Sequence, residues 1–166
     1  MKSYFVDSHR LPFKISFDLP NGPSINIADP KMNLEESYPR SPREKLFGLA
    51  QIPRMLDKAN AKREGLLGEY IFPCPIDKIV LRFLGLSDQE FMDKIYKKEE
   101  MEILKWLSGI ISSKETTDID YINEKILQPK RVWWKKIYWF IFKILNPTRK
   151  SFSSWVEKVD YEEGRL

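Results

Sequence analysis

Residues 75–90, PIDKIVLRFLGLSDQE, contain the strongest helix signals in this chain. Proline suits the first position of a helix, and the apolar residues that follow it recur at the spacing of one helical face. These apolar residues are Ile76, Ile79, Val80, Phe83 and Leu84. Gly85 is typical of a residue that ends a helix, and Ser87 with Glu90 forms a capping box that begins the next helix. The stretch therefore predicts two short helices, the first of which has one buried face.

Similar signals on both sides extend this prediction over most of the chain. The sequence Ser41-Pro42-Arg43-Glu44 is another capping box, which predicts a helix that ends before Pro53. Pro53 is then expected to open a second helix, which Gly65 ends. Two further helices are predicted near residues 100–107 and 118–127. Together these elements predict a mainly α protein, built as a compact bundle of short helices.

These signals divide the chain into three segments. Residues 1–38 are predicted to form an extended N-terminal arm, or a hairpin around the turn-forming pair Asn21-Gly22. Residues 39–113 contain the helical domain. Residues 114–166 are predicted to form a C-terminal extension, in which an amphipathic helix at residues 130–145 is followed by a tail.

The composition argues against several classes of protein. The chain has 166 residues, of which 42% are hydrophobic and 31% are charged, a balance typical of a folded soluble domain. Its only cysteine is Cys74 and its only histidine is His9, so it can form neither an internal disulfide nor the usual zinc site. We expect no metal and no cofactor. The first residues lack the apolar run of a signal peptide, which favours a cytoplasmic location.

Positive charge is concentrated near the C-terminal end of the sequence. The chain has a net charge of +4, yet residues 130–150 alone contain seven lysines and arginines and no acidic residue. The rest of the chain is therefore net negative. A local basic block of this kind is typical of contact with a specific anionic surface.

The same segment is rich in aromatic residues. It is not expected to span a membrane, because only six uncharged residues separate Lys136 from Lys143, whereas a spanning helix needs about 20. On a helix its apolar side chains cover a broad arc opposite most of the charges. The predicted contact surface comprises Trp133, Trp134, Lys135, Lys136, Tyr138, Trp139, Phe140, Phe142 and Lys143. Aromatic rings favour the boundary between water and lipid, and lysines attract anionic headgroups, so we predict a helix that lies on a membrane surface.

Other roles for this helix remain open. It could complete the domain core, as most amphipathic helices do, or contact the flank of an integral membrane protein. Core burial explains its isoleucines, but it does not explain three tryptophans among seven cations. Cations with aromatic rings also suit single-stranded RNA, although the wide apolar arc disfavours this partner. No DNA binding is expected.

Several short motifs occur together between residues 39 and 107. They are Arg40 to Arg43, Pro53-Arg54 with Asp57-Lys58, Gly68-Glu69-Tyr70, Cys74-Pro75 with Asp77, and Phe83-Leu84-Gly85. No single structural requirement would produce all of them. With these motifs the chain resembles a bacterial family catalogued as a domain of unknown function, numbered fifty sixty-nine. The resemblance implies a helical fold and implies no reaction.

The charged residues of this region form a candidate site for a small anionic ligand. Its predicted residues are Arg40, Arg43, Arg54, Asp57, Lys58, Lys62, Tyr70 and Cys74. Arginine can hold a phosphate or carboxylate with two parallel hydrogen bonds, and a nearby helix start supplies backbone donors. The alternative is a solvated helix face, on which Asp57 pairs with Arg54.

Cys74 has a catalytic and a structural interpretation. A cysteine near a helix start can have a lowered pKa and act as a nucleophile. No base lies near Cys74 in the sequence, which favours a packed structural thiol. No residue is assigned a catalytic role.

The sequence as a whole favours a non-catalytic accessory or interaction protein. We expect it on the cytoplasmic face of a membrane, as a peripheral subunit of a membrane protein complex. Its predicted partners are an anionic membrane surface, an integral membrane protein complex, or both. The competing hypothesis is an anionic-ligand-binding domain or small enzyme, with a pocket around Arg54, Asp57, Lys58, Tyr70 and Cys74.

Overall fold

The computed structural model describes residues 32–128 and 152–166. Within these ranges the chain forms one short hairpin and a series of helices. In chain order they are β1 (Lys45–Leu46), β2 (Leu49–Ala50), α1 (Ile52–Glu64), α2 (Pro75–Leu84), α3 (Asp88–Ile95), α4 (Glu100–Ser112), α5 (Thr116–Leu127) and α6 (Trp155–Glu162). The fold is therefore mainly α and built of short helices, as predicted. The predicted arm up to residue 31 and the predicted amphipathic helix at residues 130–145 lie outside the described residues.

Helix α1 is the centre of the fold. Every residue from Ile52 to Ala61 is buried, so this helix has no solvent-facing side over its first ten residues. Pro53 lies in its first turn, and Gly65 ends it in the left-handed conformation, both as predicted. A helix that is buried all round must place its charged residues in the interior as well.

Helix α2 begins and ends at the predicted signals, and α3 begins at one. Pro75 opens α2, and Gly85 closes it with φ of 74°. Ser87 begins α3 by accepting a hydrogen bond from the Glu90 amide, while the Glu90 carboxylate accepts one from the Ser87 amide. Because capping depends only on residues three apart, the sequence alone was sufficient to place these ends.

The predicted helix between Ser41 and Pro53 is wrong. The chain instead makes a turn at Ser41 and then the β1–β2 hairpin, in which Leu46 pairs with Leu49. Phe47 and Gly48 close the hairpin with φ of 50° and 82°, the left-handed values that a tight hairpin turn requires. Asn123 of α5 holds the hairpin, since it accepts from the Ala50 amide and donates to the Gly48 carbonyl, each at 2.8 Å. These contacts from a distant helix outweigh the local capping signal.

The core lies between α1 and the later helices. Phe91 of α3 is fully buried between the rings of Phe72 and Trp106, whose centroids lie 6.1 and 5.9 Å away. Ile126 of α5 belongs to the same cluster, and Trp155 of α6 packs against it. The segments on either side of the predicted boundary at residue 113 thus share one hydrophobic core.

A strap at residues 33–37 lies across the loop that follows α1. Leu34 is buried, and its amide donates to the Leu66 carbonyl at 2.9 Å. Gly68 has φ of 58°, and a Cβ atom added there would lie 2.6 Å from the Leu34 carbonyl oxygen. Glycine at this position therefore permits both the left-handed turn and the close passage of the strap.

We expect Gly68→Ala to lower the free energy of unfolding by about 2–4 kcal/mol. About 1 kcal/mol comes from the left-handed backbone, and the rest comes from the clash with the strap. Gly65→Ala is the matched control, because Gly65 has φ of 74° but open space around its Cβ position, and it should cost only about 1 kcal/mol. Urea denaturation measures both variants, and equal losses would contradict the close-packing argument.

Candidate functional site

The charged residues predicted on α1 lie inside the protein. The exposed fractions of Arg54, Asp57 and Lys58 are only 6%, 5% and 3%. The alternative of a solvated helix face is therefore wrong for these three residues. A buried charge is costly unless another charge compensates it, so their partners decide what this region can do.

Lys58 is paired with Asp77 at the start of α2. The ammonium Nζ lies 2.5 Å from Asp77 Oδ2, and both side chains are buried. The same carboxylate accepts from the Gln51 side chain at 2.8 Å and from the Cys74 amide at 2.8 Å. Asp77 therefore caps α2 and also balances the buried lysine. Its position near the helix start was evident from the sequence, but its pairing with Lys58 was not.

Cys74 lies at the N-terminal cap of α2 and is partly buried. Its Sγ lies 3.5 Å from the Lys58 ammonium, which also donates to the Ile71 carbonyl at 3.4 Å. His9, the only histidine of the chain, lies outside the described residues. The contacts described for Cys74 are those of a packed thiol beside a paired lysine.

Arg54 pairs with Glu163, not with Asp57 as the sequence suggested. Its guanidinium donates to both Glu163 carboxylate oxygens, at 2.9 and 2.6 Å, and it also donates to the Arg40 carbonyl. Tyr70 donates to the same carboxylate at 2.9 Å. Burial and the bond to Glu163 raise the pKa of Tyr70 to about 12. Glu163 follows α6, so this pair joins the end of the chain to its central helix.

Asp57 and Asp160 balance the remaining arginines of the region. The Arg40 guanidinium lies 2.6 Å from Asp57 Oδ1, and the Arg40 amide donates to Asp57 Oδ2 at 2.7 Å. Asp160 of α6 accepts from the Ser41 hydroxyl at 2.7 Å and from Arg43 at 2.9 Å. Arg165 contacts Asp160, Glu163 and the Pro39 carbonyl.

We name these eight paired residues the ion-pair cluster. They are Arg40, Arg54, Lys58, Arg165, Asp57, Asp77, Asp160 and Glu163. Four of the eight predicted ligand-binding residues belong to the cluster, and Arg43 pairs with its Asp160 from a more exposed position. Lys62 lies at its edge and donates to the Phe72 carbonyl at 2.8 Å. An external anion would have to displace one of the protein's own carboxylates, so the arrangement is suited to holding the fold together.

The two C-terminal acids of the cluster were not predicted from the sequence. Asp160 and Glu163 lie more than 100 residues after Arg43 and Arg54, with which they pair. They belong to a short run of charged residues that carries no motif, so no local signal identifies them. No group of acidic, histidine and cysteine side chains within residues 32–128 and 152–166 could hold a metal ion.

Described residues on either side of the basic aromatic segment, residues 130–150, contact each other. The Trp155 indole donates to the Ile126 carbonyl at 2.7 Å, which joins the start of α6 to the end of α5. Ser154 caps α6 by accepting from the Glu157 amide. The predicted contact surface from Trp133 to Lys143 lies outside the described residues. Among the helices that are described, none is long and apolar enough to cross a bilayer.

The comparison with protein families gives one match. The model of the family described as "Domain of unknown function (DUF5069)" matches residues 36–165. This confirms the family indicated by the motifs, and the match continues past residue 107, where the motifs end, to include α5 and α6. It therefore includes both halves of the ion-pair cluster. No curated protein matches the chain.

Proposed function

We propose that this chain, which belongs to the DUF5069 family, is a non-catalytic accessory protein docked on the cytoplasmic face of a membrane. There it would serve as a peripheral subunit of a membrane protein complex. The segment at residues 130–150 provides the contact with anionic lipid or with the complex. The helical domain holds this segment and offers a surface to partners.

The composition of the segment is the observation that carries the proposal. Its seven cations occur without any acidic residue and are interleaved with tryptophan, tyrosine and phenylalanine. Each lysine or arginine near an anionic leaflet contributes about 1 kcal/mol of attraction, and aromatic rings favour the depth of the headgroups. Neither feature is needed for burial in a core. Both are needed for reversible binding at a charged interface.

The contact between Trp155 and Ile126 supports the proposal. It joins α5 to α6 through residues that lie outside the basic aromatic segment. The described contacts of α5 and α6 with the core are likewise made by residues outside that segment.

The internal pairing of the charges supports a non-catalytic role. The competing hypothesis requires an accessible pocket around Arg54, Lys58 and Cys74. Two surface grooves of the described residues have volumes of about 370 and 550 Å³, and none of these three residues lines either groove. The cations of the ion-pair cluster are already bonded to carboxylates of the protein.

Flotation with anionic vesicles tests the proposal. We expect the intact protein to float with phosphatidylserine-containing vesicles at low salt, and to float less as the salt concentration rises. The triple variant Lys135→Glu, Lys136→Glu, Lys143→Glu should bind at least about 100-fold more weakly, from the loss of three attractive charges alone. Replacing residues 130–150 by a glycine–serine linker should abolish flotation and leave the domain folded.

A matched variant separates docking by this segment from general charge attraction. Lys45, Lys78 and Lys94 are exposed lysines of the domain, and changing all three to glutamate alters the net charge by the same amount. This control should retain most of its binding. The proposal fails if the intact protein stays in solution, or if the control loses as much binding as the triple variant of the segment.

A further inference from the structure

A groove of about 370 Å³ lies between the C-terminal half of α1 and the loop that joins α3 to α4. None of the residues that line it belongs to the ion-pair cluster. Asn60 and Glu64 of α1 line one side of it, and Ile95 with the residues up to Glu100 lines the other. Two features of its lining side chains leave hydrogen-bond acceptors available to a donor that enters the groove.

The first feature is the side-chain amide of Asn60. This residue is only 9% exposed, and it lines the groove. The described residues form no hydrogen bond with its side-chain amide, whereas Arg54, Asp57 and Lys58 of the same helix are all bonded. The amide atoms are not sealed from solvent, since neither is among the fully buried polar atoms without a partner. The amide of Asn60 is therefore available to a group that enters the groove.

The second feature is an imbalance between carboxylates and cations. Glu64, Glu99 and Glu100 line the groove, and none of them forms an ion pair with a lysine or arginine of the described residues. The two lysines of the groove already have partners. Lys98 bonds to Glu102 at 2.8 Å, and the Lys97 ammonium lies 4.9 Å from the centre of the Tyr96 ring and attracts Glu64 only at a longer range than an ion pair. The groove therefore has a surplus of acceptors and of negative charge.

Glu64 supports a binding role over a purely structural one. It is the last residue of α1, where the helix dipole favours cations and disfavours a carboxylate. Glu99 and Glu100, by contrast, lie at the start of α4, where the dipole favours them. The position of Glu64 is thus unfavourable for the helix but suitable for an incoming cation.

From these features we propose that the groove binds the guanidinium group of an arginine side chain on a protein partner. A guanidinium is planar and presents five N–H donors, so it can donate to the Asn60 amide oxygen and to a carboxylate at once. Hydrogen bonds in which both groups are charged are the stronger ones, so Glu64 provides most of the affinity. Asn60 favours a planar group with several donors over a single ammonium.

Titration with small probes tests this site on the intact protein. N-acetyl-arginine methylamide should produce saturable changes in the NMR signals of the Asn60 side-chain amide. The citrulline analogue has nearly the same shape without the charge, and it should bind at least about tenfold more weakly. Glu64→Gln should weaken binding of the arginine probe by about tenfold or more, and Glu69→Gln, an exposed residue outside the groove, should leave it unchanged.

The variant Asn60→Leu separates a binding role from a structural one. Because its amide bonds to no described residue and reaches solvent, leucine should not lower the urea midpoint, and it should abolish binding of the arginine probe. A lowered midpoint, with binding unaffected by Glu64→Gln, would show that Asn60 is structural and would overturn the proposal. The proposal also fails if inorganic phosphate shifts the Asn60 signals while the arginine probe does not, or if neither probe does.

Discussion

Replacing Asp77 by alanine is expected to lower the free energy of unfolding by about 3–5 kcal/mol, the cost of breaking a buried ion pair by removing one partner. The variant would leave the Lys58 ammonium buried without a counter-charge, because the side chains of both residues are at most 3% exposed. It would also remove the acceptor of the Cys74 amide at the start of α2. A domain of this size has a total stability of about 5–15 kcal/mol, so the loss would be a large part of it.

Urea denaturation of Asp77→Ala measures this effect, with two comparisons that isolate its cause. Glu102→Ala breaks the exposed pair with Lys98 and should cost less than about 1 kcal/mol. The double variant Lys58→Met, Asp77→Leu removes both charges, and it should be considerably more stable than Asp77→Ala. If the double variant is no more stable than the single one, the burial of an unpaired lysine does not explain the loss.

Replacing Glu163 by alanine is expected to lower the free energy of unfolding by about 3 kcal/mol or more, because it removes the counter-charge of the buried Arg54 guanidinium. The same carboxylate accepts from Tyr70 and from Arg165, so its loss also releases the end of the chain from α1. Glu162→Ala is the matched control, since Glu162 is exposed and, among the described residues, pairs only with Lys158 in the preceding turn of the helix. It should cost less than about 1 kcal/mol.

The pKa of Tyr70 would report directly on the loss of its hydrogen bond to Glu163. Glu163 is one of the causes that raise the pKa of Tyr70 to about 12, so Glu163→Gln should move this pKa towards the ordinary value of about 10. NMR of labelled tyrosine can follow it. An unchanged Tyr70 pKa in a folded Glu163→Gln variant would contradict the contact.

The contribution of Glu163 should also depend on pH. Burial alone would raise its pKa, but the bonds from Arg54, Arg165 and Tyr70 hold the pKa of Glu163 below its usual value. A carboxylate with a lowered pKa in the folded state contributes stability above its unfolded pKa, and this contribution is lost as the pH falls. The difference in stability between the unaltered protein and Glu163→Gln should therefore be largest near neutral pH and should decrease below about pH 4.5.

The sequence predicted those parts of the fold that depend on residues close together in the chain. Both ends of α1 and α2 and the start of α3 follow from glycine, proline and capping residues within a few positions of each end. The β1–β2 hairpin was missed, because Asn123 of α5 holds it and its turn contains Phe47 instead of a typical turn residue. The local capping signal at Ser41 favoured a helix that the distant contact excludes.

The candidate site was predicted in its residues but not in its arrangement. Arg54, Asp57 and Lys58 were recognised as one group, and they do lie together on α1. Their burial could not be predicted, because charged residues at helical spacing usually face water. Their true partners, Glu163, Arg40 and Asp77, come from three other parts of the chain, and only the folded structure brings them together.

The contact between Trp155 and Ile126 has a consequence for how such a protein can diversify. The residues that form this contact, and those that pair with Asp160 and Glu163, all lie outside residues 129–151. Substitutions within that segment therefore remove none of these hydrogen bonds directly. Under the proposed function, the residues that dock the protein and the residues that form these contacts are different ones, so selection can act on each set separately.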